Sequence, residues 1–257
     1  MSTESNDKSF LRFSNFGIFP NKAGICAIVN EAINICQYHV NKFSNYDVFI
    51  DSTELRNLFD FKTKHHKSLY RWDIRSDYVS SNIQNPSNAH TVFEPTLINE
   101  KRSIFNALFF LKNIDRMILD ANRFVNNRTL GIHLRGTDKA GEVKSVDILK
   151  LFTKIDFLIT EKKIDSIFLA TDDERYLNLL SNKYPELLVF DYNKIISKNG
   201  KPIHFKRNRK NINQEVIKDC FILSRCPYFI YSFSNVSYLA LTMGVGEFEG
   251  VYCANTL

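Results

Sequence analysis

The stretch that decides the fold is Leu130 to Glu142, which reads LGIHLRGTDKAGE. Its apolar first residues are typical of a buried strand, and charged residues crowd the point where that strand ends. In open α/β sheets, ligands bind in the crevice beyond the carboxyl ends of the strands. The cations Arg135 and Lys139 therefore predict a site for an anionic ligand at this edge of a sheet.

Around this stretch, the second half of the chain alternates strand patterns with helical patterns. The apolar spacing predicts strands over 129–134, 166–170, 187–190, 228–232 and 250–252, and helices over 145–160, 173–183, 214–224 and 236–243. Ser145 is expected to cap the first of these helices. Strands that alternate with helices predict the α/β class, with a parallel sheet covered by helices on both faces.

The first half is predicted to contain a βαβ unit followed by one long helix. The unit consists of a strand over 10–13, a helix over 25–40 and a strand over 46–50. Residues 99–124 have the pattern of a single long helix, and a domain boundary is placed near its end. The prediction is an N-terminal domain over 1–125 and a C-terminal domain over 126–257.

The net charge of +6 fits a nucleic-acid binder, an anionic membrane surface or a pocket for a phosphorylated ligand. The one dense basic run is His204 to Lys210, and a solvated loop is the more ordinary interpretation of such a run. No zinc-finger spacing or arginine-rich arm accompanies it, so nucleic acid is a minor alternative and we expect no nucleic-acid partner.

The cysteine count and the N-terminus indicate a reducing compartment. The chain has 5 cysteines, an odd number, and no pair has C-x-x-C spacing, so buried reduced thiols are expected. The polar N-terminus lacks the apolar centre of a signal peptide. No segment approaches the ~20 apolar residues that span a membrane. These observations predict a cytoplasmic protein without a transmembrane segment; its oligomeric state is left open.

Polar residues follow three of the predicted strands at the point where each strand ends. They are Arg135, Asp138 and Lys139 after the first, Thr171, Asp172 and Asp173 after the second, and Ser232, Ser234 and Asn235 after the third. Because the carboxyl ends of parallel strands meet at one edge of a sheet, these side chains are expected to line one pocket.

The residue types in this set match the parts of a nucleoside diphosphate. The planar donor fork of Arg135 suits phosphate oxygens, and Ser234 and Asn235 open a helix whose N–H groups can hold a phosphate. The carboxylates of Asp172, Asp173 and Asp219 can accept hydrogen bonds from ribose hydroxyls or from the N–H groups of a purine such as guanine.

Each of these residues also has an ordinary structural interpretation. Asp172, Asp173 and Ser234 are common helix caps. His133 within a strand is most often a core histidine whose hydrogen bonds are satisfied, and Arg135 alone is compatible with a salt bridge. The coincidence of three strand ends is what favours a functional site.

The motifs of other nucleotide and metal sites do not occur in the sequence. There is no Gly-x-x-x-x-Gly-Lys-Ser/Thr loop, no Gly-x-Gly-x-x-Gly fingerprint and no H-E-x-x-H motif. No DxD pair follows a strand to hold a metal-bound diphosphate. We therefore expect no metal and no cofactor, with the diphosphate held by arginine and helix N-termini.

At these residues the chain resembles the fucosyltransferase superfamily of GT-B glycosyltransferases, in particular the α1,6-fucosyltransferases and nodulation fucosyltransferases. IHLRGTDKAGE (132–142) looks like their first motif, IFLATDD (167–173) is similar to their second, and residues 216–244 resemble their helix-strand-helix with a serine-rich turn. Residues 21–39 resemble, more weakly, their N-terminal glycine loop and first helix. The resemblance implies two Rossmann-like domains facing a central cleft.

The resemblance also implies roles for individual residues. Donor-binding residues would be His133, Arg135, Asp172, Asp173, Asp219, Ser234 and Asn235, with Asn21 and Gly24 on the acceptor side. Glu142 is the candidate catalytic base and Asp138 the fallback, while Arg135 and Lys139 would assist the leaving phosphate. The implied activity is inverting, metal-independent transfer of fucose from GDP-fucose to a glycan acceptor, in glycan biosynthesis.

One departure from the family pattern leaves the donor open. The second arginine of the first motif is Gly136 here, so one contact to phosphate or sugar is missing. A transferase with another donor, such as a UDP-sugar, and a non-catalytic nucleotide- or glycan-binding module are the alternatives.

Overall fold

A computed structural model describes residues 9–14, 24–42, 46–51, 55, 57–61, 95–136, 145–191, 194–198, 209–244 and 248–257. Its elements in chain order are β1 (Ser9–Ser14), α1 (Ile25–Lys42), β2 (Tyr46–Asp51), β3 (Phe59–Phe61), α2 (Pro95–Leu108), β4 (Phe109–Leu111), α3 (Ile114–Phe124), β5 (Thr129–Leu134), α4 (Ile148–Glu161), β6 (Ser166–Thr171), α5 (Glu174–Lys183), β7 (Leu188–Val189), α6 (Arg209–Leu223), β8 (Tyr228–Tyr231), α7 (Asn235–Met243) and β9 (Gly250–Cys253).

The second half forms a five-stranded parallel sheet in the order β7-β6-β5-β8-β9. The central strand β5 is buried along its whole length, as its near-continuous apolar sequence requires. Its last residues pair with the last residues of its neighbours: Leu134 lies beside Thr171, and His133 lies beside Tyr231. The predicted parallel sheet is confirmed, and three strand ends meet at one edge.

Alternate residues of each strand enter two different hydrophobic layers, as the period of two in a strand requires. On one face Leu130 and Ile132 pack with Leu151 and Ile155 of α4. On the other face, side chains such as Phe229 join a core formed by α1, α2, α6 and α7. The sheet therefore has helices on both faces.

In the first half, β1 and β2 pair in parallel with α1 between them in sequence, which confirms the predicted βαβ unit. Helix α1 buries Ile28 and Val29 in the same core cluster as Leu239 and Leu241 of α7. This cluster contains residues from both sides of position 125, where the domain boundary stays a prediction.

The single helix expected over 99–124 is wrong. The structure has two helices, α2 and α3, and between them the strand β4 pairs antiparallel with β3. The ring of Phe109 in β4 stacks on Phe105 and meets Phe59 edge-on, each with 5.3 Å between ring centroids. Asn113 then takes a left-handed conformation, with φ 58°, which ends any continuous helix. The packing of Phe109 against Phe59, a residue distant in sequence, therefore outweighs the helical spacing of the apolar residues over 99–124.

Two helix starts also differ from the sequence prediction. Helix α4 begins at Ile148, and its cap is Asp147, whose carboxylate accepts from Leu149 N and Lys150 N; Ser145 does not cap it. Helix α6 begins at Arg209, earlier than the predicted 214. No helix in the described part of the chain is both long and apolar enough to cross a membrane.

Candidate functional site

A cavity of about 260 Å³ lies beyond the carboxyl ends of β5, β6 and β8. It brings together seven residues predicted for the site, namely Gly24, His133, Arg135, Asp172, Asp219, Ser234 and Asn235. The other contributions come from the start of α1, from Lys194 and Ile195, and from one side of α6. The volume is near the lower end of the range for small-molecule sites.

Arg135 and Asp172 form the cationic and anionic walls of this cavity on adjacent strand ends. Arg135 Nε lies 3.5 Å from Asp172 Oδ2, and both side chains are largely buried. The backbone N–H of Arg135 donates to Ser232 Oγ at 2.9 Å, which ties the end of β5 to the end of β8. The backbone N–H of Gly136 donates to Asp172 Oδ1 at 3.3 Å. These bonds fix the backbone from which the guanidinium projects.

His133 is a buried, neutral histidine at the cavity wall. Burial, reinforced by the positive charges of Arg135 and Lys194, lowers its pKa from 6.5 to about 3. Its Nδ1 lies 2.8 Å from Ser237 Oγ, and that hydroxyl donates its own proton to the carbonyl of Ser232. The network therefore assigns the ring proton to Nδ1 and leaves Nε2 as the acceptor. So low a pKa makes His133 a poor general base.

The N-terminus of α7 opens at the cavity. Ser234 caps this helix by accepting from Ser237 N at 3.1 Å, and Asn235 is its first residue. Asn30 of α1 donates from Nδ2 to the Asn235 carbonyl at 2.9 Å and to its side-chain oxygen at 3.2 Å. The start of α7 is thus held against α1, with the positive end of its dipole at the cavity.

Lys194 is a site residue that the sequence analysis missed, as are Asn213 and Glu215 of α6. Its ammonium lies 2.7 Å from Asp219 Oδ1 and 2.8 Å from Oδ2, and its side chain is only 6% exposed. Burial raises the pKa of the Asp219 carboxyl above its usual value, while the charge of Lys194 opposes the rise. Lys194 belongs to no strand or helix and to none of the three motifs, so no pattern in the sequence pointed to it.

Asp173 is not among the residues that line the cavity. Its carboxylate caps α5 by accepting from Arg175 N at 2.9 Å, and it also binds the Arg175 side chain, with Nη2 at 2.5 Å. Burial tends to raise the pKa of Asp173, but the hydrogen bonds from Arg175 outweigh it and lower the pKa overall. The described contacts of this residue are those of a helix cap.

Four predicted site residues lie outside the described residues: Asn21, Asp138, Lys139 and Glu142. The same holds for most of the basic run 204–210. Within the described ranges no group of three or more His, Cys, Asp or Glu side chains is arranged to hold a metal ion.

The described arrangement is suited to an anionic ligand that also carries hydrogen-bond donors. A guanidinium and a helix N-terminus supply positive potential, and two buried carboxylates supply acceptors. The cavity is enclosed by residues from both halves of the chain, since Gly24, Ile25 and Cys26 line it together with the strand ends.

No protein-family model matches the sequence, and no curated protein matches it. Solved structures do share its fold. NodZ α1,6-fucosyltransferase soaked with GDP-fucose aligns with a TM-score of 0.53 and 13% identity, over 92% of this chain and 92% of that chain. The fucosyltransferase NodZ from Bradyrhizobium aligns with a TM-score of 0.53 and 12% identity, over 91% of this chain and 92% of that chain.

A mutant of Arabidopsis thaliana FUT1 in complex with GDP gives a TM-score of 0.54 and 11% identity, over 94% of this chain and 70% of that chain. At identities this low the likeness concerns the fold. The chain has a fucosyltransferase-like GT-B fold, as the sequence resemblance implied.

Proposed function

We propose that this protein is a glycosyltransferase that takes its sugar from a nucleotide-sugar donor, with GDP-fucose favoured, and transfers it to a glycan hydroxyl. The observation that carries the proposal is the single cavity at three strand ends, where Arg135, Asp172 and the start of α7 converge. The fold supports it, because NodZ structures of this fold were obtained with GDP-fucose and with GDP.

The donor would lie with its diphosphate on Arg135 and on the N-terminus of α7, at Ser234 and Asn235. A guanidinium and helix N–H groups stabilise the charge that develops on the diphosphate as it leaves. His133, Asp172 and Asp219 would hold the nucleoside through its hydroxyl and N–H groups. Asp173 is left out of this donor set, because its carboxylate is engaged by Arg175.

The proposed reaction is a direct displacement with inversion at the anomeric carbon. The acceptor oxygen forms a bond to that carbon while the bond to the diphosphate oxygen breaks, and the nucleoside diphosphate leaves. A carboxylate takes the proton of the acceptor hydroxyl. Glu142 is the candidate base and Asp138 the fallback, with Lys139 assisting the leaving phosphate. The low pKa of His133 favours a carboxylate over this histidine as the base.

The acceptor side is assigned to the start of α1. Gly24 lines the cavity and its carbonyl accepts from Ala27 N at 3.0 Å, and Asn21 precedes it in the chain. Two Rossmann-like domains facing a central cleft remain the proposed arrangement, with the donor on residues 126–257 and the acceptor on 1–125.

The test is a titration of the protein with GDP, UDP, ADP and dTDP by thermal shift and calorimetry. A ligand that binds only the folded state stabilises it by RT ln(1 + [L]/Kd), so the cognate nucleotide gives the largest shift. We expect GDP to give the largest thermal shift of the four. Preference for UDP would replace fucose by another sugar, and no nucleotide shift at all would contradict the proposal.

Arg135→Ala is expected to abolish donor binding and transfer while the fold is retained. The matched control is Arg128→Ala, because Arg128 lies just before the opposite end of β5 and pairs only with Asp165 in the described residues. Full retained activity in Arg135→Ala would sink the assignment. A non-catalytic binding module would instead tolerate alanine at both Glu142 and Asp138.

A further inference from the structure

Lys194 belongs to a short segment, residues 194–198, whose backbone bonds to two neighbouring elements. The N–H of Ser197 donates to the Asp172 carbonyl at 2.9 Å, at the end of β6. The N–H of Ile195 donates to Glu215 Oε2 of α6 at 3.2 Å. The segment 194–198 is therefore anchored both to the sheet edge and to the helix that carries Asp219.

Two aromatic rings pack near the ammonium of Lys194, which binds Asp219. Its ammonium lies 4.8 Å from the centre of the Phe190 ring and 5.7 Å from that of Phe168, within the range of cation–π contacts. It then donates to both oxygens of the Asp219 carboxylate. Both partners line the candidate donor cavity.

This pair is costly to bury and is placed where a ligand can use it. A buried ion pair seldom stabilises a fold more than apolar side chains of the same volume would. A carboxylate that accepts two hydrogen bonds from an ammonium still has lone pairs for further donors. A neutral, protonated Asp219 would instead offer a donor of its own.

We infer that Lys194 is a positioning residue of the donor site: it keeps the Asp219 carboxylate ionised and fixed, so that Asp219 accepts hydrogen bonds from the nucleoside. The inference rests on the proposed function for the identity of that ligand. Without Lys194, burial would favour the protonated form of Asp219, which has lost its charge and presents an O–H donor in place of one acceptor oxygen.

Several charged and titratable groups surround Asp219 in the described part of the chain, and one of them, Glu215, lies one turn earlier on α6 and lines the same cavity. Lys194 faces it from the segment after β7. Lys218, on its own helix, and Asp191 act on it electrostatically and pair with each other at 2.5 Å. The Cys220 thiol follows it, with a pKa that burial raises well above the usual value. Lys194 is the cation in direct contact.

The experiment measures GDP affinity by calorimetry from about pH 6 to about pH 8.5 for the wild type and for Lys194→Met. We expect the variant to bind about tenfold more weakly at the acid end, as for loss of a charged hydrogen bond. The ratio of the two affinities should shrink as pH rises, because Asp219 then ionises without help. Taking the ratio cancels the titration of the GDP phosphates.

Three further variants separate positioning from a structural role. Lys194→Arg should restore most of the affinity. Asp219→Asn should bind weakly with no pH-dependent recovery. Lys183→Met is the control, because Lys183 pairs with Asp156 and neither residue lines the cavity or acts on Asp219. It should leave the pH dependence of GDP binding unchanged.

A second measurement does not need the nucleotide. The carboxyl carbon of Asp219, observed by NMR in labelled protein, should titrate at higher pH in Lys194→Met than in the wild type. An unchanged titration, or an affinity ratio that is flat with pH, would overturn the inference. If the wild type binds no GDP at any pH while this titration still moves, the proposed function fails and the role of Lys194 in ionising Asp219 stands.

Discussion

Asp173 fills the space into which a side chain at Gly136 would project. A Cβ added at Gly136 would lie 2.2 Å from Asp173 Oδ2 and 2.7 Å from Asp173 Cβ. The carbonyl of Gly136 accepts from Arg175 Nη2 at 3.2 Å, and Arg175 also binds Asp173. A second arginine after Arg135 would therefore clash with this structure. Asp173, which caps α5, and Arg175, which binds Asp173, occupy the space that its side chain would need.

Gly136→Ala is expected to destabilise the protein by about 1–3 kcal/mol, as for other substitutions that overpack a site. The measurement is urea unfolding of the variant and the wild type. The contact predicts strong coupling to Asp173, so the cost of Gly136→Ala should largely vanish in an Asp173→Gly background. If the two losses of unfolding free energy simply add in the double variant, the new methyl group at position 136 does not press on Asp173.

Asp172 and Asp173 are neighbours in sequence with separate tasks. Asp173→Ala should lower the free energy of unfolding by about 1–2 kcal/mol through loss of the helix cap, with GDP affinity unchanged. Asp172→Ala should weaken GDP binding, because Asp172 lines the cavity beside Arg135. Its effect on stability comes from the lost bond to the Gly136 N–H and not from a helix cap. Unfolding curves and GDP titrations of both variants check this. Equal loss of GDP affinity in the two would return Asp173 to the donor site.

Acid should destabilise the folded protein through His133. The unfolded chain takes up this proton near pH 6.5, whereas the buried ring takes it up only near pH 3. Between these values the unfolded state binds more protons, so stability falls as pH falls through this window. From about pH 7 to about pH 5, His133 should account for a loss of about 2 kcal/mol.

The comparison for this prediction is His133→Gln, which retains hydrogen-bonding groups and does not titrate. The free energy of unfolding is measured across the window for both proteins. Their difference isolates His133 from the other titrating groups. A difference that stays constant with pH would mean that His133 can be protonated in the fold without cost.

The start of α4 tests the identity of a helix cap. Asp147→Ala should cost about 1 kcal/mol, because its carboxylate satisfies the N–H groups of Leu149 and Lys150 at 3.0 and 3.2 Å. Ser145→Ala should be nearly neutral. A helix capped by Ser145 would begin at residue 146, whereas α4 begins at Ile148. Thermal or urea unfolding distinguishes them, and a larger effect at Ser145 would refute the assignment.

The strand ends of the second half were predictable because parallel pairing aligns carboxyl ends. An apolar run followed by polar residues, repeated three times, was enough to place Arg135, Asp172 and Ser234 at one edge. The single helix over 99–124 failed for the opposite reason. Its helical period is local, while the pairing of Phe109–Leu111 with Phe59–Phe61 joins segments far apart in sequence.

The sequence by itself determined the strands and helices of the sheet, their order along the chain and the edge where the charged residues collect. The reason is that hydrophobic periodicity is a local property of the chain and that parallel strands of one sheet align their carboxyl ends. Only the tertiary structure decided which of those side chains face the cavity. Asp173 turns to Arg175, and Lys194 reaches Asp219 from a segment with no motif. The hydrogen-bond partner of each of these side chains depends on the space and the charges around it. Packing between segments distant in sequence creates that environment.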